Sequence, residues 1–258
     1  MSISSEELLS IVAAYLWPLF RIGALVSAAP VFGTRVLPMR LKLIFVLALT
    51  AAIAPSVPPP PAIEMFSMGG IIVIFQQMLI GVAMGFSLHL VFGAFVFAGQ
   101  VVALGMGLGF ASLNDPSTGV VVPTVSQFYT ILITLLFFTM NGHLIMIDVL
   151  ADSFHSMPVS ATGIEINSLW LLLSWASNMF SGAVLIALPA VASMLIVNVG
   201  FGVMTRASPQ LNIFAIGFPV IMAIGFFVIL ASLPNIPPQF ERLIGEGFEL
   251  MRLLVGGS

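Results

Sequence analysis

The stretch MGGIIVIFQQMLIGVAMGFSLHLVFGAFVFAGQVVAL, residues 68–104, decides the fold. It carries no charge unless His89 is protonated, and nothing in it interrupts the apolar run. As one helix, rising about 1.5 Å per residue, it would reach about 55 Å. The hydrocarbon core of a bilayer is only about 30 Å thick. The run must therefore break, bend, or belong to an assembly that does not sit flat in a membrane.

The rest of the chain agrees with a membrane setting. Of the 258 residues, 60% are hydrophobic and 7% are charged. A soluble domain carries about 25% charged residues. A chain this poor in charge is an integral membrane protein. Its net charge of −3 argues against nucleic-acid binding. The absence of cysteine excludes disulfides, thiolate metal sites and cysteine nucleophiles. The acidic start MSISSEE lacks the positive charge that opens a signal peptide. Ser4 and Glu7 instead have the spacing of a capping box, which opens a helix.

Six apolar runs predict about six helical segments: residues 8–29, 41–54, 68–104, 125–147, 169–200 and 211–233. A crossing helix needs about 20 residues, and the fourth and sixth runs suit a single crossing. Between the runs lie a proline-rich linker at 54–64, an acidic polar segment at 148–165 and a loop holding Arg206. RVLPMRLK, residues 35–42, holds three of the seven bases, and the positive-inside rule puts it in the cytoplasm. Alternation then places the N-terminus, the proline linker and the acidic segment outside. This holds only if the helices cross in sequence order.

The glycine-rich stretch GMGLGFASLNDPSTG, residues 105–119, follows the long run. It is G-x-G-x-G with no following lysine, unlike a phosphate cradle. A serine protease would pair Ser112 with His143 or His89, but the glycine usual after such a serine is missing. Asn114 and Asp115 could line an ion path. Asp115 before Pro116 more simply reads as a helix cap followed by proline at the first helical position. Two readings of the loop stay open on the residues alone. It is a close-packed turn whose glycines let backbones approach, or a mobile apolar gate that excludes water.

Asp148, Asp152 and His155 share one helix face and could in principle hold a metal, but the expected reading is a solvated face. Arg21 lies within an apolar run, and a contact with a partner subunit is the preferred expectation there. Gln76, Gln77, Gln100, Gln127, Asn178 and Asn198 are expected to hydrogen-bond between helices. No pair of carboxylates stands out as a catalytic dyad, and no cofactor is expected.

Five motifs taken in order resemble the flagellar export-gate family of FliR and its virulence type III secretion counterparts. They are YLWPLFRIGALVSAAPVFG with LPMRLKL (15–33, 37–43), FQQMLIGVAMGF (75–86), LGMGLGFASLNDPSTG (104–119), LLFFTMNGHLIMIDVLADSFHSMPV (135–159) and RASPQLNIFAIGFPV (206–220). They cover most of the chain, and NGH, SFHSMP and PQLNIFAIGFP look flagellar. The resemblance implies an all-α membrane protein with a FliP-like part, residues 1–165, and a FliQ-like hairpin with a C-terminal tail, residues 166–258. It implies a non-enzymatic gate subunit that passes unfolded flagellar proteins across the bacterial inner membrane within the basal body. Implied partners are FliP-like and FliQ-like subunits, FlhB, FlhA and membrane lipid. In that family most of the gate rises to the periplasmic side. This would account for the overlong run and would undercut the alternation of loops.

The resemblance also tips the glycine-rich stretch to a plug. Met106, Phe110 and Leu113 would be its occluding side chains, and Gly105, Gly107 and Gly109 its hinges. Readings kept beside this one are the equivalent virulence-system subunit, a small-solute permease and an intramembrane serine protease.

Overall fold

The computed structural model describes residues 5–33, 37–59, 67–108, 124–160, 163–207 and 213–256. Among them are eight α-helices: α1 (Ser5–Ala28), α2 (Met39–Ile53), α3 (Met68–Gly105), α4 (Thr124–Thr139), α5 (Gly142–Ser156), α6 (Ile166–Ala207), α7 (Ile213–Ser232) and α8 (Ile236–Leu254). No strand occurs among the described residues. The fold is all-α. Four helical stretches are long and apolar enough to cross a membrane, and α4 with α5 makes a fifth if taken as one broken span.

The deciding run is one unbroken helix. Ser67 starts α3, its Oγ accepting a hydrogen bond from the Gly70 N–H at 3.1 Å. The helix then continues for 38 residues. At about 57 Å it is nearly twice the thickness of hydrocarbon. Helix α6 is longer still, with 42 residues and Pro189 inside it. Neither has the length of a simple crossing.

Two expectations need correction. The fourth run is not one continuous helix, because the chain leaves the helix at Met140 and Asn141. Asn141 sits at φ 57°, in the left-handed region that asparagine tolerates better than most residues. Nor does Arg206 lie in a loop, since the helix α6 runs on to Ala207. One helix was not expected at all. Helix α8 lies where a tail was read.

The chain divides into two compact units. The first comprises Met1–Val91, Met140–Ala176 and Ile244–Ser258. In it α3 crosses α1 closely through Gly81 and Gly85. A Cβ at Gly81 would overlap the Arg21 carbonyl oxygen, and one at Gly85 would lie 2.6 Å from Ala28 Cβ. Two glycines four apart facing Ala24 and Ala28 make the small-residue crossing favoured where helices associate in lipid. Gly247 of α8 seats against Val91 in the same way.

The second unit comprises Phe92–Thr139 and Ser177–Leu243. Its centre is aromatic. Phe92 meets Phe137 and Phe240 edge-on at 5.9 and 6.1 Å, and Phe95 meets Phe240 at 5.7 Å. Helix α4 closes on α3 where the buried Ser126 donates its hydroxyl to the Val96 carbonyl at 2.9 Å.

Among the described helices, α8 is the one that is markedly amphipathic. Ile236, Phe240, Leu243, Ile244, Met251 and Leu254 are buried at helical spacing. Glu241, Arg242, Glu249 and Arg252 are exposed. Its ion pair among the described residues, Arg252 to Glu249 at 2.9 Å, is exposed and adds at most about 0.5 kcal/mol.

Candidate functional site

Two helix ends carry the residues that the sequence singles out. The first is the end of α3. Gly107 has φ 79°, a conformation that costs an L-residue about 1–2 kcal/mol and glycine almost nothing. Its N–H donates to the Leu104 carbonyl, and the Leu108 N–H reaches back to the Ala103 carbonyl, both at 3.0 Å. These two bonds form a Schellman motif, which satisfies the last carbonyls and turns the chain away from the helix axis. The glycine at 107 is thus a stop signal written into the backbone.

The side chains around this end are tightly seated. Met106 is wholly buried, and a Cβ on Gly225 of α7 would fall 2.5 Å from Met106 Cγ. A Cβ on Gly105 would meet Met194 Cε of α6 at 2.7 Å, and one on Gly107 would meet the Phe218 ring at 3.2 Å. Methionine suits such contacts because its unbranched thioether adapts to irregular gaps. The described part of the glycine-rich stretch, residues 105–108, is the turn that ends α3, and Met106 is buried in it. Gly109, Phe110 and Leu113 lie outside the described residues, as do Ser112, Asn114 and Asp115.

The second is the end of α5, and it explains Arg21. The Arg21 side chain is wholly buried. Its Nε donates to Gln77 Oε1 at 2.9 Å, and its Nη1 donates to the Ser153 carbonyl at 2.7 Å and to Ser153 Oγ at 3.1 Å. Its Nη2 donates to the Met157 carbonyl at 2.8 Å. Ser153 Oγ can accept because its own proton goes to the Leu150 carbonyl at 2.6 Å. The guanidinium also lies 4.3 Å from the centre of the Phe154 ring.

No carboxylate pairs with Arg21 among the described residues. A buried charge without compensation would be very costly. Here the C-terminus of α5 supplies the compensation. The last carbonyls of a helix gather about half a negative charge. Arg21 caps this end from α1: it supplies a donor to the Met157 carbonyl and a second donor to the Ser153 carbonyl, which also accepts the Met157 N–H at 3.0 Å. The expected contact with a partner subunit is not where the structure puts this side chain, because its hydrogen bonds are made within the chain.

The other singled-out residues stand apart from these two ends. Asp148, Asp152 and His155 are exposed on α5, and no group able to hold a metal occurs among the described residues. His89 is exposed and stacks on Phe86 at 6.4 Å. Gln77 does bond between helices, to Arg21, whereas Gln127, Asn178 and Asn198 are exposed.

Comparison with known sequences fits this architecture. Residues 12–247 match the sequence model of the bacterial export proteins, family 1. The chain belongs to that family. It is 38% identical to the flagellar biosynthetic protein FliR of Escherichia coli (strain K12), over 97% of this chain and 96% of that protein. It is 39% identical to the protein of the same name from Pectobacterium carotovorum subsp. carotovorum, with the same coverage of both chains. The protein of that name from the more distant Aquifex aeolicus (strain VF5) is 30% identical, over 98% of this chain and 96% of its own.

Within this export-protein chain, sequence reading missed Ser153 and Met157 as partners of Arg21. One signal was present. Pro158 follows Met157, and proline commonly stands just beyond a helix end. That places free carbonyls at the end of α5, although nothing in the sequence says which cation reaches them.

Proposed function

We infer that the chain is a structural gate subunit of the flagellar type III protein export apparatus. The carrying observation is the match over almost its whole length to proteins named FliR. Because the relatives named above are all flagellar in name, the flagellar reading stands ahead of the virulence-system one. The helices support it too, since α3 and α6 are too long for simple crossings and suit an assembly that extends beyond the bilayer.

In this reading the protein sits in the bacterial inner membrane, in the basal body, and is not an enzyme. Its partners are FliP-like and FliQ-like subunits, with FlhB and FlhA alongside, and its cargo is unfolded flagellar protein. Residues 1–165 are the FliP-like part. Helices α6 and α7 form the FliQ-like hairpin, separated by residues 208–212. The plug is part of the same proposal. The Schellman end at Gly107 and the buried Met106 support a fixed root, and Phe110 and Leu113 are then the side chains that occlude.

Co-expression with FliP-like and FliQ-like proteins tests the assignment. The tagged chain should bring both down as one complex. A chain that purifies alone and stays folded in their presence would contradict the gate reading. Within the complex, deleting residues 110–114 should let small ions leak while protein still passes. A deleted gate that stays tight in a conductance assay removes the plug.

A further inference from the structure

Helices α1 and α3 run side by side in the same direction within the first unit, Gly81 meeting the Arg21 carbonyl and Ala24, and Gly85 meeting Ala28. One turn before Gly81, Gln77 therefore comes level with the turn of α1 between Trp17 and Arg21, and its bond to Arg21 Nε holds it there. Trp17, Arg21 and Gln77 are all wholly buried.

Two of these side chains end in N–H groups that nothing among the described residues accepts: the Trp17 indole Nε1 and the Gln77 amide Nε2. Turning the amide over does not help. Its Oε1 accepts the Arg21 Nε proton at 2.9 Å, and the reverse orientation would set donor against donor. A buried N–H with no acceptor costs the full desolvation of that group, so native cores supply one.

The same face of α1 carries an acceptor. Ala14, Trp17, Pro18 and Arg21 follow one another at helical spacing and share one stripe of the helix. Pro18 lies inside α1 and has no N–H, so the Ala14 carbonyl is denied the bond that its helix would otherwise give. Two donors and one acceptor thus stand at one level of the core.

Their chemistry selects the occupant. A cation is repelled by Arg21 and by both N–H groups. An anion would face the negative end of α5, which Arg21 caps. An apolar group would leave all three polar atoms unmet. Water accepts from N–H groups and donates to a carbonyl, and a buried water needs only two to four polar partners. We propose that one water is built into this core, accepting from Trp17 Nε1 and Gln77 Nε2 and donating to the Ala14 carbonyl. It joins α1 to α3 where Pro18 interrupts the α1 ladder. It does for Ala14 what Arg21 does for Met157, meeting a carbonyl to which its own helix gives no donor.

Cross-relaxation between water and side-chain N–H groups tests this, in the full chain in deuterated detergent with isotope-labelled tryptophan and glutamine. The Trp17 indole and the Gln77 amide should each show a cross-peak to water, with the sign of a long-lived bound molecule. Gln77→Leu should abolish the peak at Trp17. That variant also strips Arg21 Nε of its acceptor. Pro18→Ala serves if it does not fold: the new N–H takes the Ala14 carbonyl, and the peak at Trp17 should again be lost.

A Trp17 indole without a water cross-peak overturns the proposal. So does a peak that survives unchanged in every variant that folds. A cross-peak from the indole to protons of the chain in place of water would also overturn it, because a protein group would then be the acceptor.

Discussion

Helices α3 and α5 end in opposite ways. The end of α3 is capped by its own next residues, through a glycine at φ 79° and two backbone bonds. The end of α5 is capped from a distance, by an arginine more than 130 residues earlier in the chain. A local cap binds only its own helix and leaves the following segment free to go elsewhere. A remote cap ties three elements, since Arg21 of α1 also holds Gln77 of α3. The difference suits the two places. A segment proposed to move needs a root that does not depend on its partners, whereas a scaffold is strengthened by bonds that cannot be shed singly.

Arg21→Met offers the strongest attempt to break this comparison. It strands Gln77 Oε1 and the Met157 carbonyl and takes one of two donors from the Ser153 carbonyl, and each stranded acceptor costs about 1–3 kcal/mol. The expected loss is about 3–5 kcal/mol in unfolding of the purified chain in detergent. Arg21→Lys should recover only part of it, because an ammonium cannot reproduce the planar fork. If the lysine variant is as stable as the parent, charge alone matters and the directional cap is wrong.

Met106→Ala should cost about 2–4 kcal/mol by the same measurement, through the cavity it leaves beside Gly225. A loss below about 0.5 kcal/mol, the range of surface changes, would mean that Met106 is not an anchor. Gly107→Ala should cost about 1–2 kcal/mol from the left-handed backbone, with a small addition from the Phe218 ring 3.2 Å away. A neutral result would show that α3 can end without the Schellman turn. The smallest effect has the opposite sign. Gly200 lies within α6 with nothing near its Cβ, so Gly200→Ala should stabilise the isolated chain by about 0.5–1 kcal/mol. Gain in the chain together with poorer recovery of the complex would place a partner helix against Gly200.

Much of the architecture was legible beforehand. The six apolar runs all became helices, because runs this apolar can satisfy their backbone in lipid only by coiling. Helix α8 was overlooked because five charged residues hid a periodic apolar face that a count of hydrophobicity does not register. The break at Asn141 was also passed over. Its NG pair marks a turn, but the apolar residues on both sides read as one span.

What the sequence determined by itself is local: a membrane protein, all-α, with a glycine able to stop α3 where it does stop. These follow from composition and from conformations available to single residues. Tertiary structure alone decided where Arg21 goes. An isolated cation in an apolar run calls for an acidic partner, and the chain answers instead with the carbonyl oxygens of a distant helix end. Every residue has a carbonyl, so nothing in the sequence marks the ones left free. Only the packing of α1 and α5 brings the cation and those oxygens together.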